Sequence, residues 1–151
     1  TAGDSDTLAA MDADHCAHYS TAPVNMAPRH ADSPADIAAL IGRQPAGYWL
    51  AEVDGRAEAF LKFEPTADGA TALVHSPTTI ALTGAFTRPA LRGRGIAAAL
   101  LQAALADFAG RGFTRMSVDY ETINPTALAL WPSRFDTVAV SLMRMPEWVP
   151  R

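Results

Sequence analysis

The chain has 151 residues, of which 49% are hydrophobic, and this length suits one domain with a substantial core. No apolar run approaches the roughly 20 residues that a membrane-spanning helix needs, and the acidic start of the chain lacks the features of a signal peptide. A formal net charge of -4 argues against nucleic-acid binding through a basic face, and the single cysteine, Cys16, excludes an internal disulfide and indicates a reducing, cytoplasmic setting.

Two helices are predicted in the first third of the chain. Asp4 or Ser5 can cap the first helix, which runs to about Tyr19 with apolar residues recurring at helical spacing. Ser33 followed by Pro34 predicts the start of a second, shorter helix, because the serine oxygen accepts a free amide and proline has no amide to satisfy. The next glycine ends this helix.

The rest of the chain alternates between predicted strands and helices. Residues 47–65 predict two strands joined by Asp54 and Gly55, which is a strong hairpin signal. After a loop with room for a short strand, the later predictions are a strand over about 78–87, an amphipathic helix from Ile96, a buried strand over 115–120, a short helix opened by Asn124 and stopped by Pro132, and a final strand over 137–145.

Two glycines, Gly93 and Gly95, stand where the chain enters the predicted helix at Ile96. A helix N-terminus presents unpaired amides and the positive end of the helix dipole, so this turn is either a plain loop or an anion site. With Ala98 the glycines also fit the dinucleotide pattern G-x-G-x-x-A. Residues 88–92 separate the strand from the first glycine, however, and too few residues remain for further parallel units.

A third interpretation of the same turn is a site for an acyl-coenzyme A. Arg92, Gly95 and Ala97 fit the pattern R/Q-x-x-G-x-G/A, and downstream Asn124 and Trp131 fit N-x-x-A-x-x-x-Y with tryptophan in place of tyrosine. On these two motifs and on the order of the elements around them, the chain resembles the GNAT acetyltransferase superfamily, in a subgroup with tryptophan at the tyrosine position.

The resemblance covers residues 78–144 well, and it implies the fold. We expect an α/β (α+β) fold with a mixed, mostly antiparallel central sheet, splayed strands and helices on both faces. Residues 1–151 are expected to form one GNAT-like domain, which either lacks the first strand of the family or was cut from a longer chain.

The resemblance also implies acetyl-CoA as cosubstrate. The amides of the loop would hold the pyrophosphate, and the strand backbone before the loop would pair with the pantetheine arm and polarise the thioester carbonyl. The implied cofactor-binding residues are Phe86, Thr87, Arg92, Gly93, Arg94, Gly95, Ile96, Ala97, Asn124 and Trp131.

The implied reaction moves an acetyl group to an amine of a small molecule or a protein by direct attack. An indole N–H is far too weak an acid to protonate the departing thiolate, so we interpret Trp131 as a wall of the site. Tyr120 is the substitute candidate for the acid, and Glu121 is a second catalytic candidate that could orient water. A catalytically silent acyl-CoA-binding module and a dinucleotide-binding oxidoreductase remain open as alternatives, as does a homodimer.

His15, Cys16 and His18 lie close together in the first predicted helix and invite a zinc interpretation. Histidines three apart can share a helix face, but no second ligand pair with zinc spacing follows, and we predict no metal site. We expect this helix to border the acceptor pocket, where His15 or Tyr19 would shape specificity.

Overall fold

The structure, a computed structural model, describes residues 2–43, 45–65 and 69–141. Within these residues the elements follow in the order α1 (Ser5–Tyr19), α2 (Pro34–Ile41), β1 (Gly47–Val53), β2 (Arg56–Glu64), β3 (Thr79–Thr87), α3 (Ile96–Gly110), β4 (Arg115–Val118) and α4 (Pro125–Leu130). Short 3-10 helices cover Ala2–Asp4, Gly69–Val74 and Pro89–Leu91. None of the helices in this described part is long and apolar enough to cross a membrane.

The four strands form one sheet in the order β1-β2-β3-β4. The β1–β2 and β2–β3 pairs are antiparallel, and the β3–β4 pair is parallel. Asp54 and Gly55 join β1 to β2 with φ angles of 52° and 73°, the positive values that a two-residue hairpin turn requires. With one parallel pair among the described strands, the sheet does not have the doubly wound architecture of a dinucleotide domain.

A β-bulge in β3 changes which face of the sheet its side chains occupy. Lys62 pairs with Gly84, but the next residue of β2, Phe63, pairs with Leu82, so Thr83 has no opposite residue in β2. An extra residue in one strand breaks the simple alternation of side chains. Ile80 and Leu82, before the bulge, therefore belong to one apolar core, and Phe86, beyond it, belongs to the other.

Helices cover both faces of the sheet, as predicted, and each face has its own apolar core. On one face α3 packs with the beginning of β3, and this core consists of Leu61, Phe63, Ile80, Leu82, Leu100, Leu101, Ala104, Phe108 and Trp131. On the other face α1 and α2 pack on the sheet through Leu8, Met11, Ile37, Phe60 and Phe86. The mixed, mostly antiparallel sheet between two helical layers confirms the predicted fold class.

The parallel strands β3 and β4 separate before β3 ends. Their pairing runs from Thr79 with Arg115 to Leu82 with Val118, where β4 stops, whereas β3 continues to Thr87. Among the described strands, none therefore neighbours the β3 edge beyond Leu82 on the side of β4. This separation is the predicted splay, and it opens a gap in the sheet.

Two local predictions are wrong. Residues 137–141, the described part of the predicted final strand, form no strand, and their side chains at Val138 and Val140 are 72% and 74% exposed. An alternating apolar pattern produces a strand only where a neighbour supplies hydrogen bonds, and none does so within the described chain. Residues 142–145 lie outside the described residues. The short strand allowed between β2 and β3 is instead the 3-10 helix over 69–74.

Candidate active site

A cleft of about 420 Å³ opens where β3 and β4 separate. Its lining comes from both helical layers, since α1 contributes from one face of the sheet and the start of α3 from the other. Residues 82–87 of β3, 118–120 at the end of β4 and the beginning of α4 complete the walls. Residues from both faces of the sheet therefore line the same cleft.

The loop between β3 and α3 has a conformation that needs glycine. Gly93 and Gly95 have φ angles of 75° and 79°, in the left-handed region that other residues rarely adopt. A Cβ atom at either position would meet no atom within 4 Å, so the requirement is conformational and not steric crowding. The turn places Gly93 and Gly95 at the cleft.

The turn also delivers the N-terminus of the 15-residue helix α3 to the cleft. The first intrahelical bond runs from the amide of Ala99 to the carbonyl of Gly95 at 2.9 Å, so the amides of Ile96, Ala97 and Ala98 precede it. Amides at a helix start, with the dipole behind them, bind phosphate oxygens. Because all three residues line the cleft, these residues fit the pyrophosphate of a coenzyme.

The two arginines of the loop take different positions. Arg92 lines the cleft, and its Nε donates a hydrogen bond to the carbonyl of Thr87 at 3.0 Å, with the guanidinium 6.0 Å from the centre of the Phe86 ring. The side chain is therefore folded against the end of β3. Arg94 is exposed and is not among the cleft-lining residues.

Asn124 closes the start of α4 as its N-cap. Its Oδ1 accepts hydrogen bonds from the Thr126 amide at 3.2 Å, from the Thr126 hydroxyl at 2.7 Å and from the Ala127 amide at 3.4 Å. The residue is 5% exposed and lines the cleft. Capping therefore occupies Oδ1, and the side chain also lies close enough to the His18 imidazole to act on it.

Trp131 forms part of the cleft wall and of the core beneath it. The residue is 4% exposed, belongs to the apolar core on the α3 face, and meets the Phe135 ring edge-on with centroids 5.8 Å apart. This environment is apolar, as expected for a side chain that shapes the site by packing.

The two catalytic candidates occupy different places. Tyr120 lies just beyond β4, half-buried against the core, and lines the cleft. Glu121 is not among the lining residues; it lies next to Tyr19 of α1, over whose ring the Arg29 guanidinium stacks at 4.6 Å. Burial raises the pKa of the Tyr19 phenol, and the nearby Glu121 carboxylate raises it further.

Helix α1 presents His15 to the cleft in a fixed orientation. Its Nδ1 lies 3.4 Å from Oδ1 of Asp12, and its ring meets the Phe60 ring edge-on at 5.8 Å. The other oxygen of Asp12, Oδ2, accepts a hydrogen bond from the Asp32 amide at 2.8 Å. Burial alone would raise the pKa of Asp12, but the contacts with His15 and with this amide outweigh it, so the pKa lies below its usual value.

His18 is a cleft residue that sequence reasoning did not assign to the site. Its Nε2 is buried and has no hydrogen-bond partner among the described residues. Burial and the positive charge of Arg92 hold the pKa of His18 below its usual value, against a smaller opposing effect of Asn124. The available signal was its spacing of three residues from His15, which allows both side chains to share one face of the helix.

The structure brings ten of the twelve predicted site residues to one cleft. The lining residues are Tyr120, Phe86, Thr87, Arg92, Gly93, Gly95, Ile96, Ala97, Asn124 and Trp131, whereas Arg94 and Glu121 lie outside it. Within the described chain, no three side chains of His, Cys, Asp or Glu are grouped so that they could hold a metal ion.

Comparisons with known proteins place this fold and site in a family. The chain matches the Acetyltransferase (GNAT) family over residues 11–135, which is most of its length. A search of curated proteins finds no match to the chain.

Solved structures share the fold at low sequence identity. A tetramutant of the BH1408 protein from Bacillus halodurans superposes with a TM-score of 0.75 at 14% identity, over 97% of this chain and 96% of that one. A ribosomal-protein-alanine N-acetyltransferase from Brucella melitensis biovar Abortus 2308 gives 0.67 at 16% identity, over 95% and 93%. The aminoglycoside N-acetyltransferase AAC(6')-Iy in complex with CoA gives 0.61 at 24% identity, over 74% and 84%.

The family match spans the splayed strands, the glycine loop and the cleft-lining part of α1. The chain therefore belongs to the acetyltransferase (GNAT) family: it is an N-acetyltransferase, and acetyl-CoA is its cosubstrate.

Proposed function

We propose that this acetyltransferase moves the acetyl group of acetyl-CoA to an amine of a small molecule or a protein by direct attack within a ternary complex. The observation that carries the proposal is that one cleft, at the gap between β3 and β4, is lined by the glycine loop and α3 on one face and by α1 on the other. This lining would let donor and acceptor approach from opposite faces and meet between β3 and β4.

The donor side supplies positioning and electrostatic stabilisation. The amides at the start of α3 would hold the pyrophosphate, and Asn124 would donate to the coenzyme arm through its NH2 group. Because no described strand pairs with the β3 edge beyond Leu82 on the side of β4, backbone donors there would be available to the thioester carbonyl. Aimed donors of this kind stabilise the negative charge that develops on the carbonyl oxygen.

The transfer step exchanges a carbon–sulfur bond for a carbon–nitrogen bond. The neutral amine attacks the carbonyl carbon, the carbon–nitrogen bond forms, the carbon–sulfur bond breaks to release the coenzyme thiolate, and the acylated nitrogen loses one proton. A thiol of this type has a pKa of roughly 8.5, so solvent can protonate the thiolate without a strong acid in the site. An aromatic wall at Trp131 is therefore compatible with turnover.

An acetyl-enzyme intermediate at Cys16 has little support. Cys16 is not among the cleft-lining residues, and burial together with the Asp12 carboxylate raises the pKa of its thiol. A protonated, partly buried thiol is a poor nucleophile. Direct attack by the amine is favoured for this reason.

The test measures thiol release from acetyl-CoA against a panel of amines and identifies the products by mass. The panel contains an aminoglycoside, a polyamine and a peptide with an N-terminal alanine. The first and the last are included because two structural neighbours are named an aminoglycoside N-acetyltransferase and a ribosomal-protein-alanine N-acetyltransferase. We expect amine-dependent thiol release, an acetylated product, and initial-rate lines that intersect, as a ternary complex requires. The Cys16→Ser variant should retain this activity.

Two results would contradict the proposal. Parallel initial-rate lines with an inactive Cys16→Ser variant would indicate an acetyl-enzyme. Calorimetric binding of acetyl-CoA without thiol release for any amine would favour the silent binding module.

A further inference from the structure

We infer that His18 is a catalytic residue of this acetyltransferase, whose Nε2 accepts the proton that the acceptor's ammonium group must lose before attack. The inference rests on the proposed function, since it requires an amine acceptor. It assigns the base to α1 and leaves open the roles of Tyr120 and Glu121.

The first argument is the position of the imidazole. His18 lines the cleft at the last turn of α1, on the face of the sheet opposite to α3. The charge of Arg92 in the glycine loop and the side chain of Asn124 at the start of α4 both act on it. His18 thus lies where α1 approaches the donor-binding loop, at the meeting point of the two sides of the cleft.

The second argument is the hydrogen bonding of Nε2. This atom is buried and makes no hydrogen bond of good geometry in the described parts of the chain, although the Asn124 side chain lies close enough to act on the ring. Leaving a buried polar atom unsatisfied costs free energy, so such atoms are usually paired or have a functional reason to be free. His15, three residues earlier on the same helix, differs in this respect because Asp12 engages its Nδ1.

The third argument is the charge state of His18. The titratable and charged groups that act on it are Arg92 from the glycine loop and His15 from its own helix, and Tyr19 contacts its ring. Burial and Arg92 lower its pKa, with the smaller effect of Asn124 opposing them. The imidazole is therefore neutral near pH 7, as a base must be, and becomes protonated and inactive as the pH falls.

The proton steps balance with His18 and solvent. One N–H bond of the ammonium breaks and its proton moves to Nε2, which gives a free amine and an imidazolium. The amine attacks the thioester carbon, and the carbon–nitrogen bond forms as the carbon–sulfur bond breaks. The leaving thiolate takes the proton from the imidazolium, and the second proton of the acylated nitrogen passes to solvent. Neutral His18 is then restored.

The test compares His18→Gln with His75→Gln, a matched control at an exposed histidine that is not among the cleft-lining residues. Removing a general base typically costs about 100-fold or more, so we expect kcat of His18→Gln to fall by that factor while the Kd of acetyl-CoA changes by less than about threefold. The acidic limb of the kcat profile should disappear or move in His18→Gln and remain in His75→Gln. Added imidazole should restore part of the activity of His18→Ala. This second variant also tests the inference if His18→Gln does not fold.

Each other outcome overturns a distinct claim. A kcat within about threefold of the parent with an unchanged acidic limb would remove His18 from catalysis, while the proposed function stands. A parallel loss of kcat and acetyl-CoA affinity, without rescue by imidazole, would assign His18 to binding and overturn the inference. If the unmodified protein acetylates no amine although it binds acetyl-CoA, the proposed function fails and the inference with it.

Discussion

Replacing Gly95 with valine tests whether the glycine loop holds the pyrophosphate. Gly95 has φ 79°, a conformation that a β-branched residue adopts only under strain. Gly112, which follows α3, has φ 88° and is not among the cleft-lining residues. A Cβ at either glycine meets nothing within 4 Å, so Gly112→Val reproduces the backbone strain of Gly95→Val at a place without the proposed ligand contacts.

The two variants should share a stability cost and differ in binding. Left-handed backbone costs an ordinary residue about 1–2 kcal/mol, which for a chain of this size lowers Tm by roughly 2–8 °C. If the loop at Gly95 moves away from this conformation, the amides of Ile96 and Ala97 leave the cleft. A lost hydrogen bond to a charged group is worth about 1.5–3 kcal/mol, so the Kd of acetyl-CoA should rise about 10- to 100-fold in Gly95→Val.

Calorimetric titration with acetyl-CoA and urea denaturation of both variants measure these quantities. Gly112→Val should bind acetyl-CoA within about twofold of the parent despite a similar loss of stability. An unchanged Kd in Gly95→Val would refute the assignment of the loop. Equal losses of affinity in both variants would show that strain, and not the position of the amides, governs binding.

Three further predictions concern the elements around the cleft. Ser33→Ala removes the capping box with Asp36, in which the serine oxygen accepts a hydrogen bond from the Asp36 amide at 3.2 Å. Urea denaturation should show that the free energy of unfolding falls by about 1 kcal/mol, while kcat is unchanged. Trp131→Ala empties a buried site in the α3 core and should lower the unfolding free energy by about 3–5 kcal/mol; an effect below about 1 kcal/mol would contradict its packing role. Asp12, whose pKa is lowered in the folded state, contributes stability that is present above its unfolded pKa of about 3.9 and is lost as the pH falls through the folded value. The stability difference between the parent and Asp12→Asn should therefore shrink below about pH 4 in urea titrations, and a constant difference would contradict this account.

Features fixed by adjacent residues were predictable from the sequence. The start of α2 at Ser33 and Pro34 and the turn at Asp54 and Gly55 depend on local backbone chemistry, and both lie where predicted. The turn before α3 was recognised for the same reason. Its assignment to a coenzyme needed the second motif and the order of the elements, because many phosphate-binding turns share a left-handed glycine before a helix.

Features that depend on distant partners were not predictable. The bulge at Thr83 and the separation of β3 from β4 follow from pairing between strands that the sequence does not specify locally. The alternating pattern after residue 136 predicted a strand, but no described strand pairs with residues 137–141. The sequence predicted no role for His18, because nothing local indicates that Arg92 and Asn124 lie near it.

The position of α1 over the cleft is set by a network that runs from the sheet to the helix. Lys62 of β2 donates to the Asp32 carboxylate at 2.7 Å, and the Asp32 amide donates to Asp12 of α1 at 2.8 Å. Burial lowers the pKa of Lys62, but Asp32 and the other nearby carboxylates outweigh it, so the ammonium stays charged and the network stays paired.

The proposed donor and acceptor halves of the site are built differently. The donor half would depend on the loop and the start of α3, where backbone amides would bind the coenzyme and the required sequence is short. The acceptor half would depend on α1, whose His15, His18 and Tyr19 side chains line the cleft. Because side chains of α1 can change without disturbing those amides, the proposed arrangement lets acceptor specificity diverge within a fold that is kept at 14–24% identity.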